Sequence, residues 1–409
     1  MTMRLLAAAL AALAVGAAPL ARADFRIPGY ELVQTVPLET TLSSSDLRDP
    51  ATVWSALFDS ARHEIVIGQF YAASKPGAPF EKVIERLAAA GQRGVKIRFL
   101  MDQKGVGLSE PATLARLRAI PNLELRLLDY SKLTGNGIIH AKYLAVDAKA
   151  AFIGSQNFDW RAFSHIHETG LLITDAAVVG QVQAIFEQDW RAQGLLAAGQ
   201  AVPALAPVAL AGGAPAPAQL VASPAAYNPP GVADSEVVLP ALLAEAKREI
   251  RVQLLDYAPL SYGPERTRPY YAVIDNALRA AAARGVTIKL MVSHWNTEQP
   301  ALAYLKSLAM LPNVQVKIVT LPAASGGPIP FARVIHSKTM SIDGKVAWVG
   351  TSNWSGGYLD KSRNLEVVLR NEAMAQRLAA QHEQTWSSAY AAALDLHKDY
   401  PKPNKGNAE

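Results

Sequence analysis

Along this chain the apolar positions change period in a fixed order, and the order occurs twice. Val53 to Arg62 places apolar residues at helical spacing, and Ala61-Arg62-His63-Glu64-Ile65-Val66-Ile67 then passes into a strand. A further helical stretch stops at Gly94, and Val95-Lys96-Ile97-Arg98-Phe99-Leu100 follows with period two. The series returns as Val237 to Arg248, Ala246-Lys247-Arg248-Glu249-Ile250-Arg251-Val252, a stop at Gly285, and Val286-Thr287-Ile288-Lys289-Leu290-Met291. Glu187-Gln188-Asp189-Trp190 and Glu383-Gln384-Thr385-Trp386 close the two series 196 residues apart. This alternation predicts an α/β protein of two similar α-β-α sandwich halves, each with its own sheet, paired about a pseudo-twofold axis.

The halves are expected at 24–190 and 231–397. Residues 191–230 are rich in Ala, Pro and Gly, with Gly212-Gly213-Ala214-Pro215-Ala216-Pro217 at the centre, and are expected to be an extended or mobile linker. The polar, proline-bearing tail 398–409 is expected to fray. Residues 1–23 have the pattern of a cleaved secretory signal: Arg4, an apolar run from Leu5 to Val15, and Ala21-Arg22-Ala23. The run is shorter than the roughly 20 residues of a membrane span. The mature chain is therefore expected to be exported, to the periplasm or beyond.

The chain has no cysteine, which excludes disulfides, thiolate metal sites and a cysteine nucleophile. Its formal charge of +5 falls to +3 when Arg4 and Arg22 are removed, compatible with an anionic substrate without requiring one.

The chemistry lies in a motif, His-x-Lys-x4-Asp-x6-Gly-(Ser/Thr)-x-Asn, present twice at one internal spacing. It reads His140, Lys142, Asp147, Gly154, Ser155, Asn157, and then His336, Lys338, Asp343, Gly350, Thr351, Asn353. Residues two apart on a strand share a face, so each histidine projects beside its lysine. A turn at Asp147-Ala148-Lys149 or Asp343-Gly344-Lys345 then returns a second strand (Ala151 to Ile153; Ala347 to Val349) that brings Ser155 and Asn157, or Thr351 and Asn353, alongside. Such sets suit a phosphodiester. One neutral imidazole attacks phosphorus to give a phosphohistidine; the other, protonated, releases the leaving alkoxide and then activates water. The lysines and asparagines stabilise charge on the phosphoryl oxygens, with Ser155 and Thr351 as further donors, so the mechanism calls for no metal or other cofactor.

Glu168 and Glu366 are the candidates to orient the two imidazoles. Glu168 plus 196 is Asn364, however, so pairing the two acids implies a two-residue slip near Gly356-Gly357. Asp147 and Asp343 fall at turns and are expected to be structural. His165-x-His167-Glu168 resembles a metal-ligand spacing but lacks further ligands. Arg333 is open between a phosphate contact and a surface ion pair, and Trp160, Trp295 and Trp354 between base stacking and the core.

These residues resemble the phospholipase D superfamily, in which two such motifs form one active site between two α/β halves. Gly154-Ser155-Gln156-Asn157-Phe158-Asp159-Trp160-Arg161, Val349-Gly350-Thr351-Ser352-Asn353-Trp354-Ser355-Gly356, Ile329-Pro330-Phe331-Ala332-Arg333 and Ser293-His294-Trp295 are similar in phrasing to the endolysosomal phospholipase-D-like 5′ exonucleases of animals and their poxviral relatives. The resemblance implies His140 as nucleophile and His336 as general acid. It also implies hydrolysis or transfer on a phospholipid or on single-stranded nucleic acid, with at most transient membrane-surface contact and no obligate protein partner. The rival reading, a catalytically silent binding module, expects a broken motif, and both copies here are complete.

Overall fold

A computed structural model describes residues 24–205, 215–262 and 268–405; the expected signal segment lies outside them. Two mixed sheets dominate. In the first, strand Glu64–Gln69 pairs in parallel with Lys96–Asp102, which pairs with Leu123–Leu128. On its other side follow, all antiparallel, Tyr143–Val146, Ala150–Gly154, Glu168–Ile173 and Tyr30–Thr35. The second sheet repeats this order with Glu249–Leu254, Thr287–Ser293 and Val314–Val319 on one side, and Lys338–Ile342, Val346–Gly350, Asn364–Leu369 and Ala218–Ser223 on the other.

The layers follow from which faces are apolar. Helices Pro50–Ser60, Phe80–Gln92 and Pro111–Arg118 cover the outer face of the first sheet, where Trp54, Phe58, Phe80 and Leu87 meet Ile65, Ile67 and Phe99. Helices Ser235–Glu245, Ala272–Ala283 and Ala301–Ala309 do the same for the second. Helices Ala176–Ala197 and Glu372–Trp386 lie between the sheets, where Val182, Phe186, Met374 and Leu378 join Ile153, Leu171, Val349 and Val367 in one core. The halves therefore share a central hydrophobic layer and form a single body.

Three boundary expectations need correction. The first half does not stop at Trp190: helix Ala176–Ala197, capped at its start by the Asp175 carboxylate, runs on into the expected linker. The supposed linker also contains strand Ala218–Ser223, which pairs along its whole length with Asn364–Leu369 and buries Leu220 and Ala222. Its Ala-rich sequence carries no strong strand pattern, and the pairing partner supplies what local propensity lacks. The tail is held as far as it is described. The Lys398 carbonyl accepts from Lys306 Nζ at 2.8 Å, the Tyr400 hydroxyl receives the Asp395 N–H, and Lys402 and Lys405 pair with Glu298.

Candidate active site

The motif hairpins are pinned at their outer ends by the two turn aspartates. Asp147 takes the backbone N–H groups of Arg62, His63 and Glu64, and Asp343 those of Lys247, Arg248 and Glu249, every bond at 2.8 Å. Both adopt positive φ (52° and 55°), which a short polar side chain tolerates. Their place is at the far end of the hairpin from the histidines.

At the inner ends the halves hold each other crosswise. The N–H groups of His140 and Ala141 both donate to the Arg363 carbonyl, at 3.0 and 2.8 Å. Those of His336 and Ser337 donate to the His167 carbonyl, at 2.8 and 3.1 Å. Arg363 and His167 are themselves 196 residues apart and are buried by different means. The Arg363 guanidinium grips Asp189 bidentately at 2.9 Å, whereas the His167 ring nitrogens each meet a glutamine amide, Gln34 and Gln253, at 2.9 Å. His165, His167 and Glu168 thus do not converge, and no group of three or more potential ligands occurs among the described residues.

The next residue in each half meets the imidazole of the other. His336 Nδ1 lies 2.8 Å from Glu168 Oε2, and His140 Nδ1 lies 3.0 Å from Asn364 Oδ1. Asn364, not Glu366, is therefore the counterpart of Glu168, and the spacing of 196 holds from the motif histidines through to Trp190 and Trp386. Strand register says the same: Gly154 faces Gly170 where Gly350 faces Glu366. Glu366 is buried away from His140, its carboxylate taking the hydroxyls of Ser235 and Ser352. A side chain at Gly170 has no room, since a Cβ there would lie 2.3 Å from Phe152 and 2.9 Å from Gln156. The offset of 196 is the signal in the sequence, and it points to an amide where residue type points to a second acid.

The Asn364 amide settles a tautomer. Its Nδ2 donates to the Tyr358 carbonyl at 2.8 Å and its Oδ1 receives the Thr351 hydroxyl at 2.9 Å, so the oxygen faces His140. His140 Nδ1 must then carry the proton, leaving the Nε2 lone pair free. Burial, then the charges of Lys142 and Lys338, hold the His140 pKa well below the usual histidine range, so the ring is neutral. His336 is also pushed down by burial, but its partner Glu168 is pushed up to about 8, so one proton is shared between carboxyl and imidazole at neutral pH.

Lys142 and Lys338 are fully buried, and each ammonium bonds the carbonyl of the histidine two residues before it. Burial lowers both, Lys338 to about 7, and the charge of Lys338 further lowers Lys142. Asn157 and Asn353 are also buried, and the side-chain oxygen of each lacks a hydrogen-bond partner. Ser155 and Thr351 are not free donors, contrary to expectation. The Ser155 hydroxyl is tied to the Thr169 backbone and that of Thr351 to Asn364 and the Leu365 N–H.

A cleft of two lobes opens onto these groups, with Trp295 and Phe331 lining both. One lobe, of about 380 Å³, is lined by Phe70, Tyr71, Leu108 and Val334 and reaches Asn157 and His336. The other, of about 350 Å³, is lined by Asp256, Arg268, Glu298 and Lys405 and reaches Asn353 and Tyr358. Phe70, Tyr71, Asp256 and Tyr358 lie outside the motifs, and spacing gave no sign of them. Trp354 is in the core against Trp348, while Trp160 is half-buried with the Lys75 ammonium 4.7 Å over its ring. Arg333 forms no surface ion pair among the described residues: its buried guanidinium donates to the carbonyls of Pro322 and Leu38, at 2.6 and 2.7 Å.

Two repeated α/β halves that bring paired histidines, lysines and asparagines to their seam, with His336, Asn157 and Asn353 on the cleft wall, define a phosphodiesterase. A family model described as cardiolipin synthase, PLD-like domain, matches residues 55–190 and 239–386, so the chain belongs to the phospholipase D superfamily. It is 27% identical over 395 residues to "Probable phospholipase D F09G2.8" of Caenorhabditis elegans, covering 89% of this chain and 70% of that one. It is 29% identical over 416 residues to "5'-3' exonuclease PLD4" of Mus musculus (90% and 80% covered), which places it near that branch. In fold it is similar to the crystal structure of phosphatidylserine synthase of Haemophilus influenzae Rd KW20, with a TM-score of 0.58, 10% identity, and 84% and 85% of the chains covered.

Proposed function

We propose that this protein cleaves a phosphodiester of single-stranded nucleic acid through a covalent phosphohistidine on His140. The unlike acceptors behind two otherwise equivalent imidazoles carry the proposal. Burial and the two lysine charges keep the His140 ring neutral, and the amide behind it fixes the proton on Nδ1 so that the Nε2 lone pair is free, which suits the nucleophile. The carboxyl behind His336 keeps a proton available, which suits the acid. The His140 Nε2 lone pair forms the P–N bond as the P–O bond breaks, and the leaving oxygen takes the His336 proton. Water then gives a proton to the His336–Glu168 pair and attacks phosphorus, and the P–N electrons return to Nε2. Lys142, Lys338, Asn157 and Asn353 stabilise the equatorial oxygens, and an entering anion offsets the repulsion and desolvation that depress the lysines.

The aromatic lobe beside His336 supports a nucleobase-bearing substrate, in keeping with the exonuclease named among the relatives. A phospholipid is the second reading, favoured by the exposed Leu108 and Phe331 at the mouth of that lobe (49% and 40%). The test incubates purified protein with labelled 5′-hydroxyl single-stranded DNA and, separately, with phosphatidylcholine plus ethanol, using His140→Ala and His336→Ala as controls. Nucleotide release by wild type alone is expected. Turnover of lipid only selects the second reading, and turnover of neither sinks both. Export is part of the proposal: amino-terminal sequencing of protein recovered outside the cytoplasm should begin near Asp24, and a start at Met1 would remove it.

A further inference from the structure

The second lobe poses an electrostatic problem for any anionic chain. Asp256 and Glu298 line it, and beyond its inner end lies a centre that must receive a phosphate. Asp256 makes no side-chain hydrogen bond or ion pair among the described residues, and its carboxyl faces Lys405 and Arg268 only through space. Glu298, at 28% side-chain exposure, is bonded by Lys405 Nζ at 2.7 Å. Lys405 is brought from the far end of the polypeptide and is held there on three sides. Its carbonyl accepts the Phe331 N–H at 2.9 Å, its ammonium lies 6.0 Å from the centre of the Trp295 ring, and it bonds Glu298. Phe331 and Trp295 are the two residues that line both lobes.

From this placement we infer that Lys405 is a specificity-determining residue of the cleft: its ammonium balances Asp256 and Glu298 so that a single-stranded nucleic acid can occupy the second lobe. Among the described lining residues two carboxylates stand against two cations, Arg268 and Lys405. Arg268 is anchored to the carbonyls of Ser261 and Leu260, so it has no freedom to take over when Lys405 is lost. Removing Lys405 leaves Glu298 with only Lys402, an 81% exposed side chain at 3.3 Å that is not part of the lining, so the lining itself turns net negative where the strand must pass. In a cleft walled by protein such a charge is focused rather than dispersed. The inference rests on the proposed nucleic-acid reading, and its test reads binding separately from turnover.

Binding of fluorescein-labelled oligothymidylate is followed by anisotropy for the intact protein, for Lys405→Ala, for Lys405→Arg and for Lys405→Ala combined with Glu298→Gln. Lys405→Ala should raise Kd by about tenfold at low salt, the lower end of what such a field contributes. The difference should close near 1 M salt, where the screening length is about 3 Å. Lys405→Arg should bind as the intact protein does, and the double variant should recover most of the loss. An unchanged Kd in Lys405→Ala overturns the inference, as does a loss that salt and Glu298→Gln leave untouched, which would mark a folding defect. If intact protein binds with this charge dependence yet turns over no diester, the catalytic proposal fails and this inference stands. If it turns diesters over but never binds the oligonucleotide, the reverse holds.

Discussion

Glu168→Gln separates the two histidines by what each does to the leaving group. Glutamine keeps the size of the side chain and removes its charge, at a fully buried position 2.8 Å from His336 Nδ1. A hydrogen bond to an ionised group is worth about 1.5–3 kcal/mol, which at about 1.4 kcal/mol per decade is roughly a 10- to 150-fold loss in kcat/KM. That loss should appear only where the acid matters. An alkyl leaving group, as in an oligonucleotide, needs the His336 proton and should show the whole of it. A p-nitrophenyl ester departs as its anion and should show little. Asn364→Ala, which removes a neutral acceptor from His140, should cost about 2- to 12-fold and equally on both substrates, because Asn364 acts on the attacking ring and not on the proton that the leaving oxygen takes. The assay is initial-rate kinetics on an oligonucleotide and on bis(p-nitrophenyl) phosphate across pH. In wild type the alkaline limb marks loss of the proton that Glu168, pushed up to about 8, shares with His336. In Glu168→Gln that limb should move to lower pH, since the imidazolium has lost its counter-charge. Equal penalties on both leaving groups for Glu168→Gln, or a leaving-group dependence for Asn364→Ala, would refute the assignment of roles.

Glu366 is pushed up to about 7 by burial, above its ordinary value, so it binds its proton more tightly folded than unfolded. Its contribution to stability is complete below the unfolded pKa and is lost as pH rises through about 7, by at most about 3 kcal/mol. Glu366→Gln should flatten that part of the denaturant-midpoint profile, and parallel profiles for the two proteins would contradict it. Asp147→Ala strips the acceptor from three backbone N–H groups and should lower stability by about 1–3 kcal/mol with kcat at 25 °C preserved; a fall in kcat without a fall in Tm would count against its structural role. Arg363→Met leaves Asp189 buried and unpaired and should cost about 3–5 kcal/mol, whereas Arg363→Met with Asp189→Leu should recover much of it; chemical unfolding checks this, and a single variant as mild as the double refutes it.

The parts legible in the sequence were those written in local periods. Helix-to-strand order gave two sandwich halves, and offsets within the motif put His140 beside Lys142 and His336 beside Lys338. What escaped depends on contacts between distant segments. Ala218–Ser223 is a strand because Asn364–Leu369 lies beside it, and Arg333 is buried because loops at Leu38 and Pro322 turn their carbonyls toward it. Glu366 is a different case. Likeness of residue type and identity of spacing point to different positions there, and the fold preserves the spacing while changing the residue: Asn364 for Glu168, Glu366 for Gly170.

The crosswise bonds at Arg363 and His167 decide what a severed version of this molecule could do. A homodimer built from the amino-terminal segment alone would set a carboxyl behind both imidazoles; one built from the carboxy-terminal segment would set an amide behind both. Neither symmetric assembly could hold one ring basic and the other acidic through its acceptors. Under the proposed roles, division of labour between the rings requires the unlike pair, and separately produced segments should regain it only by associating as unlike partners.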